Sequence, residues 1–167
     1  MRRVLVIALP FVLAGCATLP RTLRVPGVTS FTVSQARQGV VPAGVKVRWG
    51  GTIASVRNGK VRTWIEIVEQ PLSGNGRPRR TDRSEGRFLA RFNGFLDPAI
   101  YTAGRKITVV GDVTHAVTGT IGAYSYKFPV VKVTSFHLWR PLPKRRYVAN
   151  PNPFWVSPWY PWGYPFY

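Results

Sequence analysis

Short runs of alternating apolar and polar residues, each ended by glycine, proline or Asn-Gly, dominate this chain, and no run holds the 3.6-residue period of a long amphipathic helix. A period of two places apolar side chains on one face of a strand. Val45, Val47 and Trp49 alternate with Lys46 and Arg48 in this way. Gly50-Gly51 then interrupts the pattern and reads as a bulge or sharp bend, of the kind that lets a small barrel close. Asn58-Gly59 follows residues 52–56 and predicts a hairpin, because both residues tolerate positive φ. Beyond it Val61, Thr63, Ile65 and Ile67 share one face, and Arg62, Trp64, Glu66 and Val68 the other. Phe88, Ala90 and Phe92 likewise oppose Arg87, Leu89 and Arg91, while Ile107, Val109, Gly111 and Val113 share one side of residues 106–115. Residues 94–98 read as a turn, 99–101 as one helical turn, and Thr118-Gly119 as the turn toward Ile121. Residues 124–139 complete the pattern, with Pro129 imposing an edge or a break. The predicted fold class is mainly β: a small antiparallel, OB-like barrel, or a sandwich, of about five or six strands.

At 167 residues the chain has room for one such domain and its extensions. Residues 1–15 read as a signal peptide, 16–43 as an N-terminal tether, 44–140 as the β domain, and 141–167 as a basic, then aromatic and proline-rich tail. The tether follows from Pro20, Pro26, Pro42 and several glycines without sustained periodicity, although a β piece within 28–33 could pack. Lys and Arg number 24 against 6 Asp and Glu, a formal +18 that becomes +16 once Arg2 and Arg3 leave with the leader. Such an excess calls for an acidic partner or surface: nucleic acid, anionic lipid, lipopolysaccharide or a wall polymer.

Compartment selects among these. Met1-Arg2-Arg3 is a cationic start, and residues 4–15 are uncharged and mostly aliphatic, as in a secretory leader. Extended to Pro20, the run reaches only the lower limit for a membrane-crossing helix and is interrupted by Pro10, Gly15 and Pro20. At its end Leu13-Ala14-Gly15-Cys16 resembles the lipobox of bacterial lipoproteins. The resemblance implies cleavage between Gly15 and Cys16 and acylation of Cys16, the only cysteine in the chain; an ordinary signal cut near Ala17 is the competing reading. One acyl chain anchors marginally, whereas several hold firmly at about 0.8 kcal/mol per buried CH₂. In enteric lipoproteins an Asp after the cysteine retains the product at the inner membrane, so Ala17 favours the outer membrane, with the domain facing the periplasm. The expected partners are then that membrane, through acyl chains on Cys16, together with lipopolysaccharide, anionic lipid or an envelope protein. Nucleic acid is scarce there.

A longer word order also stands out: Arg48-Trp49-Gly50-Gly51, Ile65-Glu66-Ile67-Val68 with Pro71-Leu72, Gly76-Arg77-Pro78, Asp82 with Ser84, and Gly86-Arg87-Phe88. Gly94-Phe95-Leu96-Asp97-Pro98, Tyr101, Gly104-Arg105, Thr108-Val109-Val110-Gly111, Ile121-Gly122, Tyr126, Pro129-Val130-Val131 and Leu138-Trp139 follow in turn. Together these resemble the Slp family of bacterial outer-membrane lipoproteins. The resemblance implies outer-membrane attachment and an association with starvation or stress responses, and it brings no agreed biochemical activity. The large basic excess and the aromatic tail depart from the family pattern.

The inventory for catalysis is thin: two histidines, six carboxylates and one cysteine reserved for lipid. His115 and His137 stand apart without Cys or His at zinc spacing, and Asp82 and Glu85, set among arginines, read as salt-bridged loop residues. No enzyme, metal or cofactor is expected. Residues 70–84 form a long basic loop in which Arg77, Arg79, Arg80 and Arg83 offer guanidinium groups to phosphates, or remain a solvated loop. In the tail, Trp155, Trp159, Tyr160, Trp162 and Tyr164 suit a membrane interface, aided by Lys144, Arg145 and Arg146. A proline-rich ligand for a partner's groove and a disordered end are the rival readings of that tail. The leading expectation is a structural or interaction role in the envelope. The alternative is an OB-like module in which Trp49 and Trp64, beside arginines on an exposed barrel face, hold an oligosaccharide or single-stranded nucleic acid.

Overall fold

The computed structural model describes residues 18–143, so the leader, Cys16 and the aromatic tail lie outside the described residues. Strands β1 (Lys46–Asn58), β2 (Arg62–Glu69), β3 (Arg87–Asn93), β4 (Lys106–Val113) and β7 (Val130–Leu138) close into a barrel in the order β1-β2-β3-β7-β4. β5 (Val117–Ile121) and β6 (Tyr124–Phe128) form a separate hairpin between β4 and β7. The mainly β, OB-like barrel expected from the sequence is therefore what forms, and the sandwich is not. Every ladder is antiparallel except β3–β7, which is parallel. Parity requires this: directions cannot alternate all the way round a ring with an odd number of strands.

The alternation of each strand fills the interior. Val47, Trp49 and Ile53 of β1, Ile65 and Ile67 of β2, Phe88, Ala90 and Phe92 of β3, and Ile107, Val109 and Val113 of β4 are buried in one cluster. Trp49 packs edge-on against Phe88 with ring centroids 5.4 Å apart, and its Nε1 donates to the Phe31 carbonyl at 2.7 Å. Thr63, the fully buried polar residue of the inward face of β2, donates from its hydroxyl to Asn58 Oδ1 at 2.6 Å.

Four local expectations are corrected. Gly50 and Gly51 sit inside β1, and the bulge falls later, between Ile53 and Ser55. Gly51 pairs with Glu69 on one side and Ile107 on the other, and a Cβ there would run into the Val68 carbonyl; the glycines serve close approach of three strands. The β1–β2 hairpin forms at Asn58-Gly59, yet neither residue has positive φ, because the connection is a longer loop that leaves Val61 77% exposed. The β5–β6 turn is Gly122-Ala123, with Gly122 at φ +59 and Ile121 paired to Tyr124, while Thr118 and Gly119 lie within β5. Positive φ at the first central position alone is the pattern of a II′ hairpin, which only the glycine supplies cheaply.

The fourth concerns residues 18–43, read as tether, which pack against the barrel. A 3₁₀ turn (Arg21–Leu23) and a short helix α1 (Val33–Arg37) bury Leu23, Val33 and Ala36. Thr32 and Gln35 cap α1 reciprocally, side chain to backbone. Thr29 bridges Val47, and Arg48 donates from Nη2 to the Leu23 carbonyl at 2.7 Å. The reason is the outer face of β4: Thr108 and Val110 are also apolar-facing and need a cover, which Leu19, Leu23, Val25 and Val28 provide together with Trp139. The β5–β6 hairpin does the same over β3, where Leu89 packs with Phe128 and Val130 beside Trp64. Pro129 is the expected break, separating β6 from β7 and accepting the Leu89 N–H at 2.9 Å.

Candidate functional site

The basic loop is pinned to the start of β4. Asn75 Oδ1 accepts the Arg77 N–H at 3.1 Å, Ser73 N–H donates to the Arg77 carbonyl at 2.9 Å, and Gly76 turns at φ +81. Thr108 then ties three segments together: its hydroxyl donates to the Gly76 carbonyl at 2.7 Å and accepts from Trp139 Nε1 at 3.0 Å. Lys106 Nζ donates to the Pro78 and Arg79 carbonyls at 3.0 and 2.5 Å. A loop with so few apolar residues is thus held in place by polar contacts.

This anchoring brings Arg77, Arg79 and Arg80 together with Arg105, Lys106 and Arg140 around an open cleft of about 430 Å³. Pro78, Trp139 and Leu142 supply its apolar wall, and among the described residues no carboxylate lines it. The Arg77 guanidinium lies 5.3 Å from the centroid of the Trp139 ring and donates from Nη2 to the Arg140 carbonyl at 2.7 Å. Arg105 donates to the Ile100 and Trp139 carbonyls, leaving its buried Nε without a partner among the described residues. Burial and the crowding of charge both act on the ionisable groups beside the cleft. Burial pushes the Lys106 ammonium below the usual lysine range, and the charges of Arg77 and Arg80 push it further. Burial, and then Arg77, likewise lowers His137, whose ring meets Trp139 at a centroid distance of 4.3 Å. A phosphate here would find several charge-assisted donors and an apolar wall for its attached group.

Of the four arginines picked out by sequence, Arg83 does not join: it is exposed further along the loop, outside the cleft. Arg105, Lys106, Trp139 and Arg140 were missed, since each reads locally as the end of a strand. The Asp82 and Glu85 salt bridges are also corrected. Among the described residues the ion pair is Glu66 with Arg87, at 2.7 Å across the β2–β3 ladder. Glu85 instead donates its backbone N–H to Glu69 at 2.8 Å, and burial raises the Glu69 carboxyl against that hydrogen bond, with the Glu85 charge adding to the rise.

The Slp family of outer membrane lipoproteins has a sequence model that matches residues 13–167. The chain belongs to this family. It is 36% identical to the lipoprotein YeaY of Escherichia coli strain K12 over 91% of this chain and 80% of that one. Its identity to the outer membrane protein Slp of the same strain is 30%, over 98% and 89% of the two chains. A Haemophilus influenzae protein is 31% identical over 79% and 73%.

In this Slp-family chain a second surface carries an aromatic ring beside cations. Register places Arg57, Trp64, Arg91 and Lys132 side by side across β1, β2, β3 and β7, and directly paired residues share a face. An open groove of about 400 Å³ lies there, lined by Arg57, Asn58, Gly59, Trp64, Leu89 and Val117. Trp49, by contrast, is only 6% exposed and serves the core, so the exposed face pictured for both tryptophans keeps Trp64 alone. Gly15, Cys16, Trp155, Trp159, Tyr160, Trp162 and Tyr164 lie outside the described residues.

Proposed function

We propose that this family member is held in the outer membrane by acyl chains on Cys16, faces the periplasm, and serves as an interaction module of the envelope, engaged in stress, rather than as an enzyme. Its binding element is the cleft around Trp139, and its ligands are phosphate-bearing envelope components such as lipid A or anionic phospholipid. One observation carries the reading: among the described residues, six cationic side chains from three separate segments surround an apolar wall with no carboxylate among them. A solvated loop would spread such charges apart to relieve repulsion, whereas here the backbone is pinned so that they converge. Titrating the Cys16→Ser protein with pyrophosphate and following amide and indole NMR signals tests it. Shifts centred on Trp139 and Arg77 are expected, and none at pyrophosphate levels in the millimolar range would remove the cleft from consideration. Intact mass of the protein purified from membranes tests the anchor: an unmodified Cys16 would refute it.

The tail belongs to the same proposal as a second, peripheral membrane contact through Trp155, Trp159, Tyr160, Trp162 and Tyr164. Its removal in the Cys16→Ser background is expected to weaken binding to anionic vesicles. The row Arg57, Trp64, Arg91 and Lys132 favours a second reading, an OB-like module taking an oligosaccharide on the β2–β3 face, since OB barrels use that face and its flanking loops. Quenching of Trp64 fluorescence by anionic oligosaccharides, absent in Trp64→Ala, would support it.

A further inference from the structure

The cleft and the first described residues after the expected anchor share one side of the barrel, through the segment that sequence alone makes a spacer. Leu19 packs into the cluster of Leu23, Val110 and Trp139, and a Cβ at Gly76 would touch its Cδ1. Trp139 is the wall of the cleft and carries Arg77 against its ring. Cys16 stands only two residues before Thr18, so the chain between them spans at most about 7 Å. That reach is comparable to the screening length of about 8 Å at physiological salt. From the other end, Arg140, Pro141 and Leu142 line the cleft, and Lys144-Arg145-Arg146 follow after Pro143 in sequence.

We infer that the barrel does not hang on a tether but lies against the leaflet that holds the Cys16 acyl chains, with the Trp139 cleft facing that leaflet and its cations engaging the lipid phosphates in cis. The inference rests on the proposed anchor and cleft, and adds where the phosphate comes from and which face meets it. Charge complementarity supports the docking, because the rim offers Arg79, Arg80 and Arg140 as exposed cations with no acid in the lining. The short connection supports it too: an anchor so close to Trp139 leaves no spacer long enough to swing this face away. The opposite side presents the β5–β6 hairpin, packed over β3, which stands two strands away from both β1 and β4 in the ring.

Acylated full-length protein is reconstituted in phosphatidylcholine vesicles with about 30% phosphatidylglycerol, and in phosphatidylcholine alone. A fluorophore is placed by Gly74→Cys on the basic loop, where a Cβ meets nothing within 4 Å, or by Ala123→Cys at the exposed hairpin tip. Quenching by headgroup-nitroxide lipid is expected to be at least about threefold greater at position 74 in the anionic vesicles, as the field of a charged leaflet dies within one screening length. The difference should shrink in Arg79→Gln/Arg80→Gln/Arg140→Gln, whose altered side chains are exposed and leave Arg77 on Trp139. Equal quenching at the two positions overturns the docking, and so does a difference that survives neutralisation unchanged. If quenching is equal while pyrophosphate still shifts Trp139 in the Cys16→Ser protein, the docking alone has failed and the cleft stands. If pyrophosphate also fails, both fall.

Discussion

His137 and Thr108 both contact Trp139, the wall of the cleft, and each does so with a different consequence. The imidazole sits below its ordinary value of 6.5 because burial and then Arg77 disfavour its charge. A histidine with a lowered folded pKa contributes stability present above 6.5 and lost as pH falls toward the folded value, since the unfolded chain takes up the proton that the native state resists. Unfolding by urea should therefore become easier on acidification below 6.5, and His137→Gln should flatten that part of the profile. Glu69 acts with the opposite sign, because its raised carboxyl favours the native state when protonated. A phosphate bound in the proposed cleft would favour the charged imidazole, so pyrophosphate affinity should rise on acidification more in the wild type than in His137→Gln. Thr108 has a different task. Its hydroxyl is buried and satisfies both Gly76 and Trp139, so Thr108→Val should destabilise the fold by about 1–3 kcal/mol in denaturant titration and loosen the loop.

Among the elements, the N-terminal segment departs furthest from what its composition suggests. Prolines and glycines exclude a long helix, but they do not prevent isolated apolar residues from docking where a strand face is bare. Leu23 is fully buried against Val110 and Trp139, so Leu23→Ala should cost about 2–5 kcal/mol, a loss that no free tether could produce. Thermal or urea unfolding of the Cys16→Ser protein measures it. Strand β1 shows a different interplay. It serves β4 with its first half and β2 with its second, and the changeover at Gly51 needs a residue without a side chain. The glycine pair was legible as structural, but whether it bends, bulges or admits a neighbour depends on the strands that arrive beside it. The capping pair Thr32 and Gln35 went unread in the sequence, because a five-residue helix lacks the apolar period that would draw attention to it.

For the whole molecule, the distribution of charge should let stability and the proposed binding separate. Arg79 and Arg80 are exposed, so replacing both with glutamine should leave the unfolding free energy within about 0.5 kcal/mol per site. Binding of the Cys16→Ser protein to anionic vesicles should nonetheless weaken and lose part of its salt dependence, as cosedimentation at rising salt would show. Retained binding with an unchanged salt slope would place the attraction elsewhere on the surface.

Period-two alternation was enough to set the class of fold, the inward residues of β2, β3 and β4, and the break at Pro129, because each depends on neighbours within a few residues. The leader and Cys16 also needed nothing beyond local order to suggest export and an anchor. Closure of the ring decided the rest. It made β3 and β7 parallel, drew Trp49 inside, covered β4 with residues expected to be spacer, and carried Arg105, Lys106, Trp139 and Arg140 to Arg77. Residues so far apart along the chain meet only through long-range strand pairing, and no local pattern encodes which ends a barrel will bring together.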